Sequence, residues 1–459
     1  MESSLPLAGR RVLVVGLARS GVAAARLARA RGARVTATDR RAASELAPTV
    51  RELEGSVELA LGGHDRHHFT SAELVVVSPG VPLSLPEIAE ARGRGIPVMG
   101  EVELAARLLP GLPLVGITGT NGKSTTTALT GALVARDRRV FVGGNLGTPL
   151  SELVLSGEPV EAAVVELSSF QLEGAEQLRP RVAALLNVTP DHLDRYPSVD
   201  AYALAKARLF MNQQPDDFAV ANARDARTVA LAGASRARLL SFGFGPPGPR
   251  SARAPGTGTP GEVWLATGDG TPERYLVRSR ALRGRHNLEN AMAAALCARL
   301  LGVPGAAIQG GLDAFPGLPH RLELVRERGG VEWVNDSKAT NVDSTLVGLA
   351  AFPAGRPHVV LIMGGRGKRA PYAPLGPLFE GRVKALLTLG EDAVAVEREL
   401  GGLAPTERVG TLISAVARAA ELAAAGDVVL LSPACASYDQ FQSYEHRGES
   451  FRQLVGALS

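Results

Sequence analysis

Short unbroken apolar runs, each closed by a small or charged residue and followed by a stretch with helical spacing, recur along the whole chain. The first, Arg11-Val-Leu-Val-Val-Gly16, predicts a strand buried on both faces, and an Ala/Leu-rich helical pattern then runs to about Arg31. Further strands are predicted at 34–39 and 74–77, the latter ending in Ser78-Pro79-Gly80. Continuous rather than alternating apolar runs fit parallel strands covered by helices on both sides. The spacing is β-α-β, so the first block should be a Rossmann-like sheet with its ligand at the strand ends.

The same pattern returns twice. A second block has strand-like runs at 114–117, 140–142, 162–166 and 182–188, and a third at 358–363, 383–389 and 427–431. The punctuated stretch Phe315-Pro-Gly-Leu-Pro-His320 separates them. At roughly 150 residues per domain, 459 residues allow about three. The expected division is 1–102, a Rossmann-like domain; 103–317, a central P-loop ATPase-like α/β domain; and 318–459, a C-terminal Rossmann-like α/β domain. Between Phe244 and Gly261 the chain is rich in Gly and Pro, which predicts a mobile surface loop there.

Composition narrows the function classes. Fifty Lys plus Arg against 46 Asp plus Glu leave a net charge of +4, and aromatics make up only 4%, so no nucleic-acid partner is expected. Two cysteines, Cys297 and Cys435, give neither a disulfide framework nor a metal pair and fit a reducing cytosol. The apolar stretch 291–301 is cut by Arg299, so no segment reaches the roughly 18 apolar residues that span a bilayer. The expectation is a cytoplasmic protein with no membrane partner.

Candidate chemistry sits at the predicted strand ends. Thr118-Gly-Thr-Asn-Gly-Lys-Ser-Thr125 follows a strand and opens a helix, where backbone N–H groups and the helix dipole favour an anion, Lys123 adds charge and Ser124 offers a Mg²⁺ ligand. Ile117 replaces the first glycine of the strict P-loop pattern. Glu166 ends the next strand but one, where a nucleotide's metal would lie, and Asn187-Val-Thr-Pro-Asp-His-Leu-Asp194 ends another. By contrast, Gly16-Leu-Ala-Arg-Ser-Gly21 lacks the middle glycine of the dinucleotide fingerprint, and His64-Asp-Arg-His-His68 reads as a solvated loop rather than a metal cluster. Asp39, at the end of the second strand, could accept a ribose hydroxyl or could be a cap or a solvated acid.

Taken together, the phosphate loop, Glu166-Leu-Ser-Ser, Asn187 to His192, Ala205-Lys206 and His286-Asn-Leu-Glu-Asn290 resemble the Mur ligases, ATP-dependent amino-acid ligases of peptidoglycan precursor synthesis. Asn335-Asp-Ser-Lys-Ala-Thr-Asn341 and Ser432-Pro-Ala-Cys-Ala-Ser-Tyr-Asp-Gln-Phe441 resemble the branch that adds D-glutamate to UDP-N-acetylmuramoyl-L-alanine. The resemblance implies that Ser20, Asp39, Arg41, Gly80 and Asn145 hold the UDP-sugar. It assigns Gly119, Thr120, Asn121, Gly122, Lys123, Ser124 and Thr125 to the ATP phosphates, Asn287 and Asn290 to the adenine side, Arg321 to the γ-phosphate and Asp336 to the ribose. Ser124, Glu166, His192 and Lys206 would serve Mg²⁺ at two sites, with Lys206 carbamylated, and Lys338, Thr340, Lys368, Ser437, Tyr438 and Tyr444 would form the D-glutamate pocket. Catalysis is thereby expected from Lys123, Lys206, His192 and Arg321. Arg19 and Arg40 depart from the family's pattern, and Tyr444 stands where Phe is expected, adding a hydroxyl that needs a partner. The resemblance further implies a monomer that closes over its small-molecule substrates. A sister Mur ligase or folylpolyglutamate synthase, an NAD-dependent dehydrogenase and a non-catalytic nucleotide sensor are the competing readings. The absent middle glycine and the intact Glu166, His192 and Lys206 count against the last two.

Overall fold

Three β-sheets organise the chain in a computed structural model, which describes residues 5–145, 147–246, 248–256, 261–268 and 270–458. The first sheet holds β1 (Arg11–Val15), β2 (Arg34–Asp39), β3 (Glu58–Leu61), β4 (Leu74–Val77) and β5 (Val98–Gly100) in the order β3-β2-β1-β4-β5, all parallel. The order reverses direction at β1, so the loops after β1 and β4 part and leave a crevice at the strand ends. The helix Arg19–Ala30 closes one face. Ala24, Leu27 and Ala28 join Val12 and Val14 in the core, each buried Val or Leu being worth about 1.5–3 kcal/mol.

The second sheet contains β6 (Leu114–Thr118), β7 (Val140–Gly144), β8 (Ala162–Glu166), β9 (Val182–Leu185), β10 (Phe218–Asn222), β11 (Arg238–Phe244), β12 (Ser251–Ala254), β13 (Gly261–Ala266) and β14 (Glu273–Val277). Its order is β14-β13-β12-β11-β10-β9-β6-β8-β7. The strand that carries the phosphate loop, β6, therefore lies between β8 and β9, with Ile117 beside Glu166 and Thr118 beside Leu185. The third sheet runs β15 (Glu323–Arg328), β16 (Val331–Asn335), β20 (Val428–Leu431), β17 (Val359–Gly364), β18 (Val383–Leu389) and β19 (Thr406–Gly410). Its strands are parallel except the edge pair β15 and β16.

The chain forms two compact units. The first takes residues 1–256, 262–275 and 289–312; the second takes 257–261, 276–288 and 313–459 and carries the third sheet. Among the described residues no helix is long and apolar enough to cross a membrane.

Two local expectations are corrected. The segment 244–261 is not a surface loop throughout: within it β12 lies inside the sheet, pairing in parallel with β11 and antiparallel with β13. Ser251, Ala252 and Ala254 are buried there because small side chains fit between covered strands, and the Arg253 guanidinium folds back onto the Ser241 carbonyl and hydroxyl. Residues 247 and 257–260 of that stretch lie outside the described residues. His64–His68 is not a loop throughout either, since a helix starts at Arg66 with the Asp65 carboxylate accepting the His67 N–H.

Candidate functional site

A cleft of about 570 Å³ opens at the C-terminal ends of β1, β2 and β4 and is bordered on its other side by Gly144, which ends β7, and by Asn145, Gly147 and Pro149 after it. Ser20, Asp39, Arg41, Gly80 and Asn145 all line it, so the structure gathers the five residues that the resemblance grouped. Asp39 is held from several directions. Its Oδ2 accepts the Leu17 N–H at 2.7 Å and an Arg41 N–H at 2.8 Å, and its Oδ1 accepts the Arg41 backbone N–H at 2.9 Å and Nε–H at 3.0 Å. Burial alone would raise its pKa, but these donors and the Arg41 charge outweigh burial and keep the carboxyl ionised well below the usual carboxylate range. Arg19 Nη1 donates to the Gly147 carbonyl at 2.6 Å across the cleft, and Ser78 Oγ donates to the Gly16 carbonyl at 2.6 Å. His64, 3.1 Å from Thr38 Oγ1, has its pKa lowered by burial, so the ring is neutral at pH 7.

Asn145 leads from this cleft to the phosphate loop. Its amide nitrogen donates to Glu166 Oε1 at 2.7 Å, and its backbone N–H donates to the Glu166 carbonyl at 2.9 Å. Glu166 is 2% exposed, and its second carboxylate oxygen has no hydrogen-bond partner. A buried acceptor left open in this way costs free energy unless a cation or donor completes it. Next to it, Gly122 caps the helix Lys123–Val134 at φ 83°; a Cβ there would come within 2.4 Å of Asn290 Oδ1, so the position requires glycine. Asn290 Oδ1 also accepts the Thr126 hydroxyl at 3.2 Å, which places Asn290 against the helix start. The outer loop is braced from β9: the Thr120 N–H reaches the Asn187 carbonyl, while Asn121 and the Asn187 side chain exchange bonds of 2.8 and 3.1 Å. Lys123 Nζ donates to the carbonyls of Gly119 and Thr120 at 2.9 and 2.8 Å, and Ser124 and Thr125 occupy the first helical turn.

Lys206 comes to the same loop from the helix Val199–Ala207. It is 1% exposed; its Nζ donates to the Gly119 carbonyl at 2.9 Å and lies 4.3 Å from the Tyr202 ring centroid. Burial, then the charge of Lys123, pull its pKa down to about 7 against the opposing pull of Asp191 and Glu166. His192 sits at φ 53°, with its ring 4.9 Å from Phe170 and 5.9 Å from Tyr202. Among the described residues no three His, Cys, Asp or Glu side chains form a metal-type group.

In the second unit three loops meet at the ends of the adjacent strands β16, β20 and β17. Asp336 follows β16 and is buried. Its Oδ2 accepts the Ser432 hydroxyl at 2.8 Å, its Oδ1 accepts the Leu322 N–H at 3.3 Å, and burial pushes its pKa up to about 7. Lys368 Nζ donates to Thr340 Oγ1 at 3.5 Å, Lys338 Nζ lies 5.2 Å from the Tyr444 ring, and Arg366 exchanges backbone bonds with Ala436. Ser437 is buried and Tyr438 is exposed. Burial, and after it the Glu445 carboxylate, raise the Tyr444 hydroxyl to about 12. Arg321 Nε is buried with no hydrogen-bond partner, and Asn287 belongs to this unit, donating to the Arg283 carbonyl at 3.1 Å. Sequence reasoning passed over Arg447, which is buried and donates to Ser337 Oγ and to the Ser337 and Cys435 carbonyls, with its pKa brought down to about 10 by burial. It read His64 only as part of a solvated loop and gave Ser78 no role. Ser78, in a Ser-Pro-Gly strand end, carried a usable signal; a lone helical arginine carried none.

A phosphate loop on β6, flanked by β8 and β9, lies beside a cleft at the strand ends of the first sheet, and a third α/β sheet completes the chain, which belongs to the Mur ligase family. Residues 10–100 match the MurD-like N-terminal domain of Mur ligases, 117–298 the Mur ligase middle domain, and 320–435 the Mur ligase glutamate ligase domain. The chain is 73% identical over 453 residues to the UDP-N-acetylmuramoylalanine--D-glutamate ligase of Anaeromyxobacter dehalogenans, covering 98% of each chain. It is 56% identical to the enzyme of the same name from Myxococcus xanthus, over 99% of this chain and 100% of the relative. In fold it is similar to the UDP-N-acetylmuramate-alanine ligase of Thermotoga maritima, with TM-score 0.61 and 19% identity over 98% of this chain and 99% of that one.

Proposed function

We propose that this chain joins D-glutamate to UDP-N-acetylmuramoyl-L-alanine at the expense of ATP, in peptidoglycan precursor synthesis. The observation that carries the reading is the Asn145–Glu166 hydrogen bond, because it couples the UDP-sugar cleft to the strand beside the phosphate loop. A carboxylate repels a nucleophile and has no good leaving group. Transfer of the γ-phosphoryl group to an oxygen of the L-alanyl carboxylate, with ADP leaving, gives an acyl phosphate. The D-glutamate amine then attacks the carbonyl carbon, loses a proton and expels inorganic phosphate, forming the amide. No covalent enzyme intermediate is needed.

We assign anion binding to the first-turn amides of the helix beginning at Lys123, since the Thr120 and Asn121 N–H groups are engaged in holding the loop. Lys123 and Arg321 would offset charge on the transferring group, a step that depends on positioning and electrostatics. Asp39 fixes Arg41 for the UDP moiety. Lys338, Thr340, Lys368, Ser437, Tyr438 and Tyr444 are assigned to D-glutamate, Asn287 and Asn290 to the adenine side, and Asp336 to the ribose. Mg²⁺ would supply Lewis-acid neutralisation of phosphate charge, held by Ser124, Glu166, His192 and Lys206. The open Glu166 oxygen fits that role. A pKa near 7 gives Lys206 the neutral amine that reacts with CO₂, and the resulting carbamate replaces an ammonium of the wrong sign. We take two Mg²⁺ ions as the working reading of the family resemblance. We further infer domain boundaries at 102/103 and 317/318, and a monomer working in the cytoplasm.

The test is phosphate release with substrates left out one at a time. Release should require ATP, UDP-N-acetylmuramoyl-L-alanine and D-glutamate together. Equal turnover with L-glutamate, or none with D-glutamate at saturating UDP-sugar, would defeat the proposal.

A further inference from the structure

One side chain near His192 has no part in the chemistry above. Arg195 Nη1 donates to the Pro79 carbonyl at 3.0 Å, at the lip of the cleft beside Gly80, while its Nη2 donates to Glu173 Oε2 at 2.9 Å. Its Cζ lies 4.0 Å from the Phe170 ring centroid, and the side chain is 19% exposed. Its backbone N–H and that of Tyr196 both donate to the His192 carbonyl at 3.0 Å, closing the turn that holds His192 at positive φ. The Phe170 ring that the guanidinium covers is the one packed 4.9 Å from the His192 ring. One residue therefore grips the lip of the cleft, the aromatic ring behind His192 and the backbone turn of His192.

We propose that Arg195 is a positioning residue that locks the Pro79–Gly80 lip of the UDP-sugar cleft to the His192 turn. The inference rests on the reading of that cleft as the UDP-sugar site. Arginine suits the task because its planar fork offers two donors at a fixed angle together with a face that stacks on an aromatic ring, whereas lysine is a point charge on a flexible stem. An exposed ion pair to Glu173 would contribute little by itself. Arg195 differs in being mostly buried and in donating also to a neutral carbonyl 116 residues away in sequence. Loosening it should let lip and turn move separately, and small misplacements at a reacting centre are costly in rate.

The test compares Arg195→Met and Arg195→Lys with the wild type. It uses calorimetric binding of UDP-N-acetylmuramoyl-L-alanine without ATP or metal, steady-state constants for all three substrates, and thermal unfolding. Arg195→Met should weaken UDP-sugar binding and lower kcat, each on the order of tenfold, the worth of one or two charge-assisted hydrogen bonds. The KM for D-glutamate should stay within about twofold, and Arg195→Lys should recover part of the loss. Unchanged UDP-sugar affinity and kcat in folded Arg195→Met would overturn the proposal, as would an equal rise in all three KM values, which marks a general loss of structure. If Arg195→Met does not fold, Glu173→Gln decides: a smaller change of the same pattern supports the lock, and wild-type constants overturn it. A wild-type chain that neither binds nor turns over this UDP-sugar defeats the ligase reading instead.

Discussion

The phosphate-loop region of the first unit and the loops after β16, β20 and β17 in the second are built on one plan, but their buried acids are finished in opposite ways. Each gathers loops at the C-terminal ends of three adjacent parallel strands, β9-β6-β8 in one and β16-β20-β17 in the other. In the first, charges are left open: Glu166 keeps a bare oxygen, and Lys206 is buried within the positive field of Lys123. In the second, the buried acid is closed off, since both Asp336 oxygens are occupied by Ser432 and Leu322, while the buried Arg447 donates to the Ser337 hydroxyl and to the Ser337 and Cys435 carbonyls and, like Arg321 at Nε, keeps one nitrogen without a partner. The contrast between the two buried acids fits the proposed reading, in which the open Glu166 oxygen meets a ligand's charge and the closed Asp336 holds the loop after β16 in place.

The largest effect should come from the open site. Lys206→Ala should cut turnover by roughly 10²–10³-fold without unfolding the chain, and short carboxylic acids should restore part of it by supplying the missing anion. Full activity in that variant, or a bare ammonium at Lys206 in a ligand-bound high-resolution map, would erase the contrast. On the closed side, Lys368→Ala should raise the D-glutamate KM by about tenfold with a smaller change in kcat, the behaviour of a lost charge contact to a substrate carboxylate. An unchanged KM removes Lys368 from the pocket.

Stability offers two finer probes. Ala252→Glu, in the middle of β12, should cost on the order of 2–4 kcal/mol in urea unfolding, because it buries a charge between β11 and β13. Wild-type stability there would return the segment to the status of a loop. For Asp336 the folded pKa, about 7, stands above the ordinary 3.8, so between these values the folded form keeps a proton that the unfolded chain has lost. Its contribution is full below about pH 4 and lost as pH rises through 7. Asp336→Asn should flatten that fall in stability, and an unaltered pH profile would show that the buried carboxyl is ionised at neutral pH.

The strands at sheet centres were legible in the sequence because strands covered on both faces read as unbroken apolar runs. β2, β4, β8 and β18 match their expected limits residue for residue. The short or half-covered strands β3, β12, β15 and β19 lack such runs, and Gly/Pro composition around β12 actively misled. The site divides in the same way. Residues at or just after a strand end within one motif, such as Lys123 and Glu166, announce themselves, whereas Lys368 stood out only through the family resemblance, and Arg195 and Arg447 act through partners distant in sequence, which spacing cannot reveal. Asp39 was legible as a strand-end acid, but its engagement by Arg41 required coordinates.

The paired hydrogen bonds between Asn121 and Asn187 carry a kinetic consequence. They hold the outer phosphate loop in its bent form from within the protein, so a nucleotide arriving there finds the loop already shaped and does not have to order it. The conformational entropy of those residues is lost once, during folding, rather than at every turnover. Association at this loop should then resemble docking onto a rigid cradle, with its rate governed by collision and charge rather than by a slow rearrangement of the loop itself.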